Sequence, residues 1–372
     1  MSHVWASVAI GGTKCSVSVA RATGDTFTFI ERRTFPTDAS PERTLGTLVR
    51  HLGAELAAAG GPPLAGIGIV CGGPLDESKG LVLGPPNLPG WAAVEVVRPF
   101  EDHFGERACL QNDANAGVLA EWTWGAARGC DNVVFLTCGT GIGAGLILNG
   151  RLYRGSTGLA GEVGHWRLST TGPVGYGKAG SFEGFCAGSG IARRAQELAL
   201  QCLQQGSPTN LSPEWRDLES LSAKRVAEAA DGGDPVAGLL WAEVGRHLGS
   251  GIALLVDLLN PDVIVLGGIY VRQRDRLQPS LLEELEREAL PQSVMACRVV
   301  PSALGEHIAD WSGLAAALLG DETTPAGRRV SRATHASDGV PDQLSPPPGS
   351  NASHVAAVPH TEATPTNMEE SQ

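Results

Sequence analysis

Two glycine-rich turns, each between two strand-like segments, constrain the fold of this chain more than any other feature. Residues 11–14 read Gly-Gly-Thr-Lys, and residues 139–143 read Gly-Thr-Gly-Ile-Gly in a similar setting. After the first turn, Cys15, Val17 and Val19 alternate with polar residues, as in a strand with one buried face. Glycine allows tight turns and lets backbone N–H groups approach an anion. The repeated arrangement therefore indicates an internal duplication.

Strand and helix patterns alternate around these turns. The predicted strands are 4–10, 14–20, 26–34, 66–71 and 108–111 in the first half, and 133–137, 144–148, 262–266 and 298–300 in the second. Long helical patterns cover residues 191–203, 235–259, 277–290 and 308–319. A further helix is predicted after Ser40, a suitable N-cap, with Pro41 at its first position. This alternation predicts an α/β fold.

The length of the chain favours two lobes, because 372 residues exceed one ordinary hydrophobic core. We expect a first α/β lobe at residues 1–118 and a second at 119–304, with a last helix at 305–320 that packs back on the first lobe. Residues 321–372 contain no Phe, Trp, Tyr or Ile. Such a segment buries too little apolar surface to offset its ordering entropy, so we predict that it is disordered.

Composition and charge exclude several classes of protein. The net charge of −12 argues against a nucleic acid partner, since phosphate backbones attract basic surfaces. The eight cysteines include no C-x-x-C pair, so they predict neither a disulfide framework nor a zinc motif. No apolar run reaches the roughly 18 residues of a membrane span, and the first residues do not read as a secretory signal. We expect a reduced, cytoplasmic protein with no membrane partner.

Asp113 stands in a Gln-Asn-Asp-Ala-Asn-Ala segment, between an apolar run and a helical pattern. One interpretation is structural, because either Asn112 or Asp113 is suited to cap the helix that follows. The other is chemical, because a carboxylate near phosphate-binding turns is suited to deprotonate a hydroxyl that attacks a γ-phosphate. The two roles are compatible, since the positive end of a helix keeps a carboxylate ionised.

Polar residues in other segments are suited to bind a sugar. Residues 161–165 read Gly-Glu-Val-Gly-His and bring Glu162 and His165 within one turn. Together with Asn87 and Glu183, these side chains offer a ring of polar groups that matches sugar hydroxyls. Taken singly, a histidine such as His165 is more often a structural residue than a ligand.

Several of these segments occur together, in the same order, in one known family. They are residues 11–14, 86–91 (Pro-Asn-Leu-Pro-Gly-Trp), 112–116 (Asn-Asp-Ala-Asn-Ala), 139–150 (Gly-Thr-Gly-Ile-Gly at its start, Asn-Gly at its end), 161–165 and 260–268 (Asn-Pro-Asp-Val-Ile-Val-Leu-Gly-Gly). With these motifs the chain resembles the ROK family of sugar kinases and repressors, over roughly residues 4–319. The number and order of the motifs make the resemblance highly specific.

The resemblance implies an α/β, two-lobed, actin-like ATPase fold (ribonuclease H-like) with a duplicated mixed-sheet core. It implies ATP-dependent phosphorylation of a hexose, glucose-like or an N-acetylhexosamine, with Asp113 as general base and Mg²⁺ accompanying ATP. The implied sugar contacts are Asn87, Asn112, Glu162, His165 and Glu183. The implied ATP contacts are Gly12, Thr13, Lys14, Thr140, Gly141, Gly267 and Gly268. The family also suggests a homodimer.

Two departures from the family pattern concern metals. The family usually has an acidic residue two positions before the first turn, where it helps to order Mg²⁺, and this chain has Ala9. Many members also bind a structural zinc through the histidine that matches His165 and through three cysteines. Here those three positions are Val174, Tyr176 and Ser181. A tetrahedral zinc site cannot be built from one histidine, so we predict that the chain binds no zinc.

Two alternative functions follow from the same resemblance. The first is a catalytically impaired pseudokinase that binds sugar, and it is motivated by Ala9 in place of the acidic residue. A sugar-responsive repressor is the other alternative, and family repressors carry a DNA-binding domain before the first strand. Here the first strand is expected at about Val4, which leaves no room for such a domain, and the chain is acidic.

Overall fold

Two five-stranded sheets, one from each half of the chain, form the framework of the protein. The computed structural model describes residues 3–24, 26–207 and 209–319, and these residues belong to one unit. The segment predicted to be disordered, 321–372, lies outside the described residues.

The first half builds one large and one small sheet. Its elements are β1 (Val4–Ile10), β2 (Lys14–Thr23), β3 (Thr26–Pro36), α1 (Pro41–Ala58), β4 (Leu64–Cys71), β5 (Leu75–Asp76), β6 (Leu81–Val82), β7 (Val94–Glu95), α2 (Arg98–Phe104) and β8 (Ala108–Asn112). The large sheet has the order β3-β2-β1-β4-β8, and the short strands β5, β6 and β7 form a sheet of their own.

The second half builds the other large sheet and most of the helices. Its elements are α3 (Asp113–Trp124), β9 (Val133–Cys138), β10 (Ile142–Leu148), β11 (Arg151–Leu152), β12 (Val174–Gly175), β13 (Lys178–Ala179), α4 (Phe182–Cys186), α5 (Gly188–Gln204), α6 (Ala223–Asp231), α7 (Pro235–Leu259), β14 (Val263–Leu266), α8 (Ile269–Glu288), α9 (Pro291–Ala296), β15 (Arg298–Pro301) and α10 (Ile308–Leu319). Short 3₁₀ helices occur at Val163–His165, Trp215–Ser220 and Gly305–His307. The large sheet has the order β11-β10-β9-β14-β15.

The two large sheets share one pattern of strand pairing. In the first, β1 is antiparallel to β2 and parallel to β4, which is parallel to β8. In the second, β9 is antiparallel to β10 and parallel to β14, which is parallel to β15. The two glycine-rich turns therefore connect corresponding strand pairs. The predicted duplicated, mixed-sheet core is confirmed.

Helix α1 covers one face of the first sheet and begins where the sequence predicted. The side-chain oxygen of Ser40 accepts a hydrogen bond from the backbone N–H of Arg43, and Pro41 is the first helical residue. Its apolar stripe includes Leu48 and Leu52, which are fully buried. Burial of each such leucine stabilises the fold by about 1.5–3 kcal/mol.

Helices α3 and α10 lie against each other and contact both large sheets. Val118 and Trp122 of α3 pack in one cluster with Phe135 of β9 and Leu314 of α10. Helix α10 also packs against β1 and β4. The predicted lobe boundary at 118/119 falls inside α3, and the division into lobes stays a prediction.

Some elements differ from the predicted ones for local reasons. Helix α8 begins at Ile269 rather than at 277, because its first turns are rich in arginine and lack the apolar period that marks the rest. Gln273 interrupts the helix with non-helical dihedral angles, which further weakens the helical spacing of its apolar residues. Strands β5, β6 and β7 are two residues long, too short for alternation to be visible.

Candidate functional site

A cleft of about 1760 Å³ lies between the two glycine-rich turns and over the start of α3. Its walls include residues 9–14, 112–115, 137–144 and 157–162. Both large sheets therefore contribute to one concave surface, the kind of place where small ligands bind.

The cleft brings together residues from distant parts of the sequence. Of the predicted site residues, those that line it are Gly12, Thr13, Lys14, Asn87, Asn112, Asp113, Thr140, Gly141, Glu162, His165, Glu183 and Gly268. Gly267 does not line it. Its backbone N–H donates to the carbonyl of Leu136 at 2.9 Å and so continues the pairing of β14 with β9.

The structure separates the two candidate caps at the start of α3. The side-chain oxygen of Asn112 accepts hydrogen bonds from the backbone N–H groups of Ala114 (2.9 Å) and Asn115 (3.2 Å). Asn112 is therefore the N-cap, and Asp113 is the first helical residue. Oδ1 of Asp113 accepts a hydrogen bond from the N–H of Ala114 at 2.9 Å, while Oδ2 lies near Gly72. Capping does not need the carboxylate of Asp113.

Asp113 can be reached from the cleft, although protein atoms surround most of its carboxylate. The residue is exposed to the open cleft. Protein atoms around its carboxylate nevertheless displace bulk water and raise the pKa of Asp113, while the hydrogen bond from Ala114 acts in the opposite direction. A carboxylate with a raised pKa is a better proton acceptor, provided that it is still ionised at the working pH.

Glu162 and His165 face the same cleft from a 3₁₀ turn. His165 Nε2 lies 4.0 Å from Glu162 Oε2, and both side chains are partly exposed. Burial raises the pKa of Glu162, the charge of His165 opposes this, and the nearby carboxylates of Asp113 and Glu183 raise it further. Three carboxyl groups thus share one region and influence each other.

Glu183 connects the predicted sugar contacts to the second glycine-rich turn. Ser181 caps α4 by accepting a hydrogen bond from the N–H of Gly184 at 3.1 Å, which places Glu183 in the first turn of that helix. Oε2 of Glu183 accepts a hydrogen bond from the N–H of Ile142 at 3.1 Å. A Cβ atom at Gly141 would lie 2.6 Å from the same oxygen, so any other residue at this position would displace the Glu183 carboxylate.

The first glycine-rich turn makes a corresponding contact with Asn87. A Cβ atom at Gly12 would lie 2.3 Å from the backbone oxygen of Asn87, so glycine is required there. The turn is closed by a hydrogen bond from the N–H of Gly11 to the carbonyl of Lys14 (3.1 Å), and the Thr37 hydroxyl donates to the Gly11 carbonyl (2.6 Å). Each turn is therefore held against one predicted sugar contact.

The three positions where the resemblance implied zinc-binding cysteines have other roles here. Val174 belongs to the β12–β13 hairpin, Ser181 caps α4, and the ring of Tyr176 packs edge-on against His165. Within the described ranges, no group of three or more His, Cys, Asp or Glu side chains is placed to hold a metal ion. The absence of zinc stays a prediction.

Arg32 also lines the cleft, although nothing in the sequence indicated it. Its Nε lies 3.1 Å from Oδ2 of Asp310, a carboxylate that is almost completely buried. The next residue, Arg33, pairs instead with Glu55 of α1 on the other face of the sheet. No sequence signal distinguishes the two arginines, because their roles depend on which helix covers each face.

A family model described as the ROK family matches residues 5–319. The chain belongs to the ROK family. Members of this family have the actin-like ATPase fold, so the predicted fold class is confirmed. The predicted family is confirmed as well.

Similar ROK proteins include sugar kinases. A glucokinase of Thermotoga maritima is 30% identical over 307 residues, which span 80% of this chain and 92% of that protein. The crystal structure of a ROK family glucokinase from Streptomyces griseus, in complex with glucose and AMPPNP, has a TM-score of 0.69 and 27% identity. The structural match covers 83% of this chain and 97% of the Streptomyces griseus chain. The chain is thus a ROK protein similar to glucokinases.

Other similar ROK proteins are regulators. A xylose repressor of Caldicellulosiruptor bescii is 30% identical over 205 residues, which span 55% of this chain and 50% of that protein. Membership of the family therefore does not by itself establish an enzyme. In the part of the chain that the structure describes, no helix is both long and apolar enough to cross a membrane.

Proposed function

We propose that this ROK protein transfers the γ-phosphate of ATP to a hydroxyl of a hexose, glucose-like or an N-acetylhexosamine, with Asp113 as general base. The observation that carries the proposal is the position of Asp113. Its carboxylate opens into the cleft between the two glycine-rich turns, and Asn112 supplies the helix cap in its place.

The side chains around Asp113 have complementary roles in this proposal. Glu162 and Glu183 accept hydrogen bonds from sugar hydroxyls, and Asn87 and His165 offer further polar contacts. These groups orient one hydroxyl toward Asp113, which removes its proton as the oxygen attacks phosphorus. The raised pKa of Asp113 favours this proton transfer.

The two glycine-rich turns supply the phosphate side of the cleft. Gly12, Thr13 and Lys14 offer backbone N–H groups, a hydroxyl and a positive charge on one wall, and Thr140 and Gly141 lie on the other. Gly268 lies near the adenosine end in this proposal, and Gly267 supports it from behind. Protein walls of this kind position phosphates through backbone dipoles and charge.

The surroundings of Ala9 fit Mg²⁺ only in part. Ala9 lies on the cleft wall opposite Ser16 and Val70, so the neighbouring strands offer a hydroxyl and no carboxylate at this point. Asp113 is an acidic group of the proposed machinery that lines the same cleft. Mg²⁺ is commonly held by few protein carboxylates and by the phosphates themselves, whose charge it neutralises. These residues are compatible with such a site.

Turnover over a panel of sugars tests the proposal. We expect ADP release with ATP, Mg²⁺ and at least one of glucose, mannose, N-acetylglucosamine and N-acetylmannosamine, well above the rate without sugar. Tight sugar binding without turnover for any of them would contradict the kinase and favour the pseudokinase. If turnover is slow, Ala9→Asp distinguishes the causes, because restored metal binding would raise the rate and lower the Mg²⁺ requirement.

We also propose that the chain forms a homodimer through an apolar surface at the end of α7. Leu254 and Leu258, four residues apart on one helical face, are 50% and 71% exposed. Leu290 and Met295, at the start and near the end of α9, which contacts α7, are 60% and 81% exposed. The N–H of Leu290 donates to the Asp257 carboxylate at 3.0 Å, which keeps these segments together. Exposed apolar patches of this kind mark interaction surfaces.

Light scattering on a sizing column tests the dimer. We expect about twice the monomer mass for the wild type and monomer mass for Leu258→Asp, because a charge at the centre of the patch cannot be desolvated cheaply. Leu239→Asp is the matched control, since Leu239 is 70% exposed on the same helix and about 28 Å away along it. A monomeric wild type would contradict this assignment.

A further inference from the structure

Tyr176 has an unusual backbone conformation for its residue type. Among the described residues, the non-glycine positions with positive φ are Ala93, Asn149, Tyr176 and Asn260. The two asparagines are residues that tolerate this region, and Asn260 ends α7 as a left-handed cap. Tyr176 has φ +45° in the turn of the β12–β13 hairpin, followed by Gly177 at +74°. A tyrosine is costly in such a position, so an observed outlier of this kind points to a function.

The side chain of Tyr176 does not offset this cost by burial. The residue is 59% exposed and lines the cleft. Its ring meets the ring of His165 edge-on, with centroids 4.7 Å apart and planes at 82°. The contact that the strained turn secures is therefore one with a residue of the proposed sugar site.

Other residues of the β12–β13 hairpin form hydrogen bonds with the segment that contains His165. Nζ of Lys178 donates to the backbone oxygen of His165 at 2.6 Å, and Nη1 of Arg167 donates to the backbone oxygen of Ala179 at 2.8 Å. Backbone and ring of His165 are thus held from one side by two residues of the hairpin. An imidazole that is only partly buried otherwise has freedom about its side-chain torsions.

We infer that Tyr176 is the positioning residue that fixes the imidazole of His165 toward the sugar. The edge-to-face contact limits rotation of the imidazole and keeps its Nε2 on the side of Glu162. The hairpin that carries Tyr176 therefore acts on sugar recognition and not on ATP. This inference rests on the proposed function, because it takes His165 as a sugar contact.

Three substitutions of Tyr176 separate its ring, its hydroxyl and its backbone strain. Tyr176→Phe retains the ring, and we expect a sugar KM within twofold of the wild type. Tyr176→Ala and Tyr176→Gly remove the ring, and we expect the sugar KM to rise about 3- to 10-fold, the change that corresponds to one aromatic pair. The KM for ATP stays unchanged in all three. Tyr176→Gly melts at or above the wild-type temperature, because glycine relieves the strained φ.

Two controls keep the test specific. Tyr153 is similarly exposed and does not line the cleft, so Tyr153→Ala leaves both KM values unchanged. In the background of His165→Ala, Tyr176→Ala causes no further rise in sugar KM, because coupled residues are not additive. A purely structural tyrosine would instead change stability and leave the sugar KM of a folded Tyr176→Gly at the wild-type value.

The outcomes distinguish this inference from the proposed function. Equal sugar KM in the wild type and Tyr176→Gly overturns the inference while leaving the kinase intact. If the protein turns over no sugar, sugar affinity measured by calorimetry replaces KM. Loss of affinity in Tyr176→Ala with retained affinity in Tyr176→Phe then supports the inference even though the kinase proposal has failed. No sugar binding by the wild type overturns both.

Discussion

Replacement of Asp113 by asparagine is expected to lower kcat about 10²- to 10⁴-fold, the contribution of a positioned general base. Asparagine retains the shape of the side chain and an acceptor for the N–H of Ala114 but cannot take up a proton. Sugar and ATP binding should change little, so the loss appears in kcat. Steady-state kinetics with the best sugar of the panel measures it.

The fold should not be affected by this substitution, because Asn112 provides the cap of α3. Melting temperatures of wild type and Asp113→Asn are expected to agree within a few degrees. Asp102→Asn, at an exposed position of α2, is the matched control and should retain full activity. An Asp113→Asn protein with kcat within threefold of the wild type would remove Asp113 from the role of base.

The pH profile provides a second signature of the same residue. The base must be ionised, so we expect wild-type activity to be lost as the pH falls through the pKa of Asp113, which the displacement of water by surrounding protein atoms raises above its usual value of about 3.9. The pKa of Glu162 is raised as well, and its protonation acts in the same direction. Comparing the pH profiles of the wild type and Asp113→Asn shows which part of the acid limb is due to Asp113, because the residual activity of the variant lacks its contribution.

Replacement of Glu121 by alanine is expected to lower the free energy of unfolding by about 3–5 kcal/mol, because several donors lose a charged acceptor in the core. Glu121 is completely buried at the end of α3. Its carboxylate accepts hydrogen bonds from the N–H groups of Ala126 (2.8 Å) and Leu304 (3.1 Å) and from the hydroxyl of Ser302. It thus ties α3 to the loop that leads into α10.

Urea denaturation measures this effect through the midpoint and slope of the unfolding curve. Glu286→Ala, at an exposed position of α8, is the matched control and should change stability by less than about 0.5 kcal/mol. The loss of stability in Glu121→Gln should lie between those of Glu121→Ala and Glu286→Ala. Its amide retains one acceptor oxygen but places an NH₂ group next to other hydrogen-bond donors. A loss below about 1 kcal/mol in Glu121→Ala would mean that water replaces the carboxylate.

The strands, turns and caps that sequence analysis recovered depend on local signals. Alternation marked β1 and β2, and Ser40 followed by Pro41 marked the start of α1. The ordered motifs also led to the cleft residues, since segments that share a chemical task carry residue types suited to it. Local signals could not decide between Asn112 and Asp113 as the cap, because both side chains can accept the same hydrogen bonds.

Contacts between distant segments were beyond the sequence analysis. The pairing of Arg32 with Asp310 and the hydrogen bonds of Glu121 join segments that are far apart in the sequence. The ring contact between Tyr176 and His165 depends on a tyrosine in a backbone conformation that its residue type does not predict. Each of these features arises from tertiary packing, which a one-dimensional pattern does not encode.

The position of α3 has a mechanical consequence. Helix α3 touches both large sheets. In a hinge motion of one sheet relative to the other, a helix in this position would lie near the hinge axis, where atoms are displaced least. Thr13 and Thr140 lie on the glycine-rich turns of different large sheets, so we expect their separation to follow any change in the angle between the sheets. If the cleft closes in this way, we expect Asp113, at the start of α3, to move less than either turn. On this expectation, the proposed base is the reference point from which the positions of the phosphate and the sugar are set.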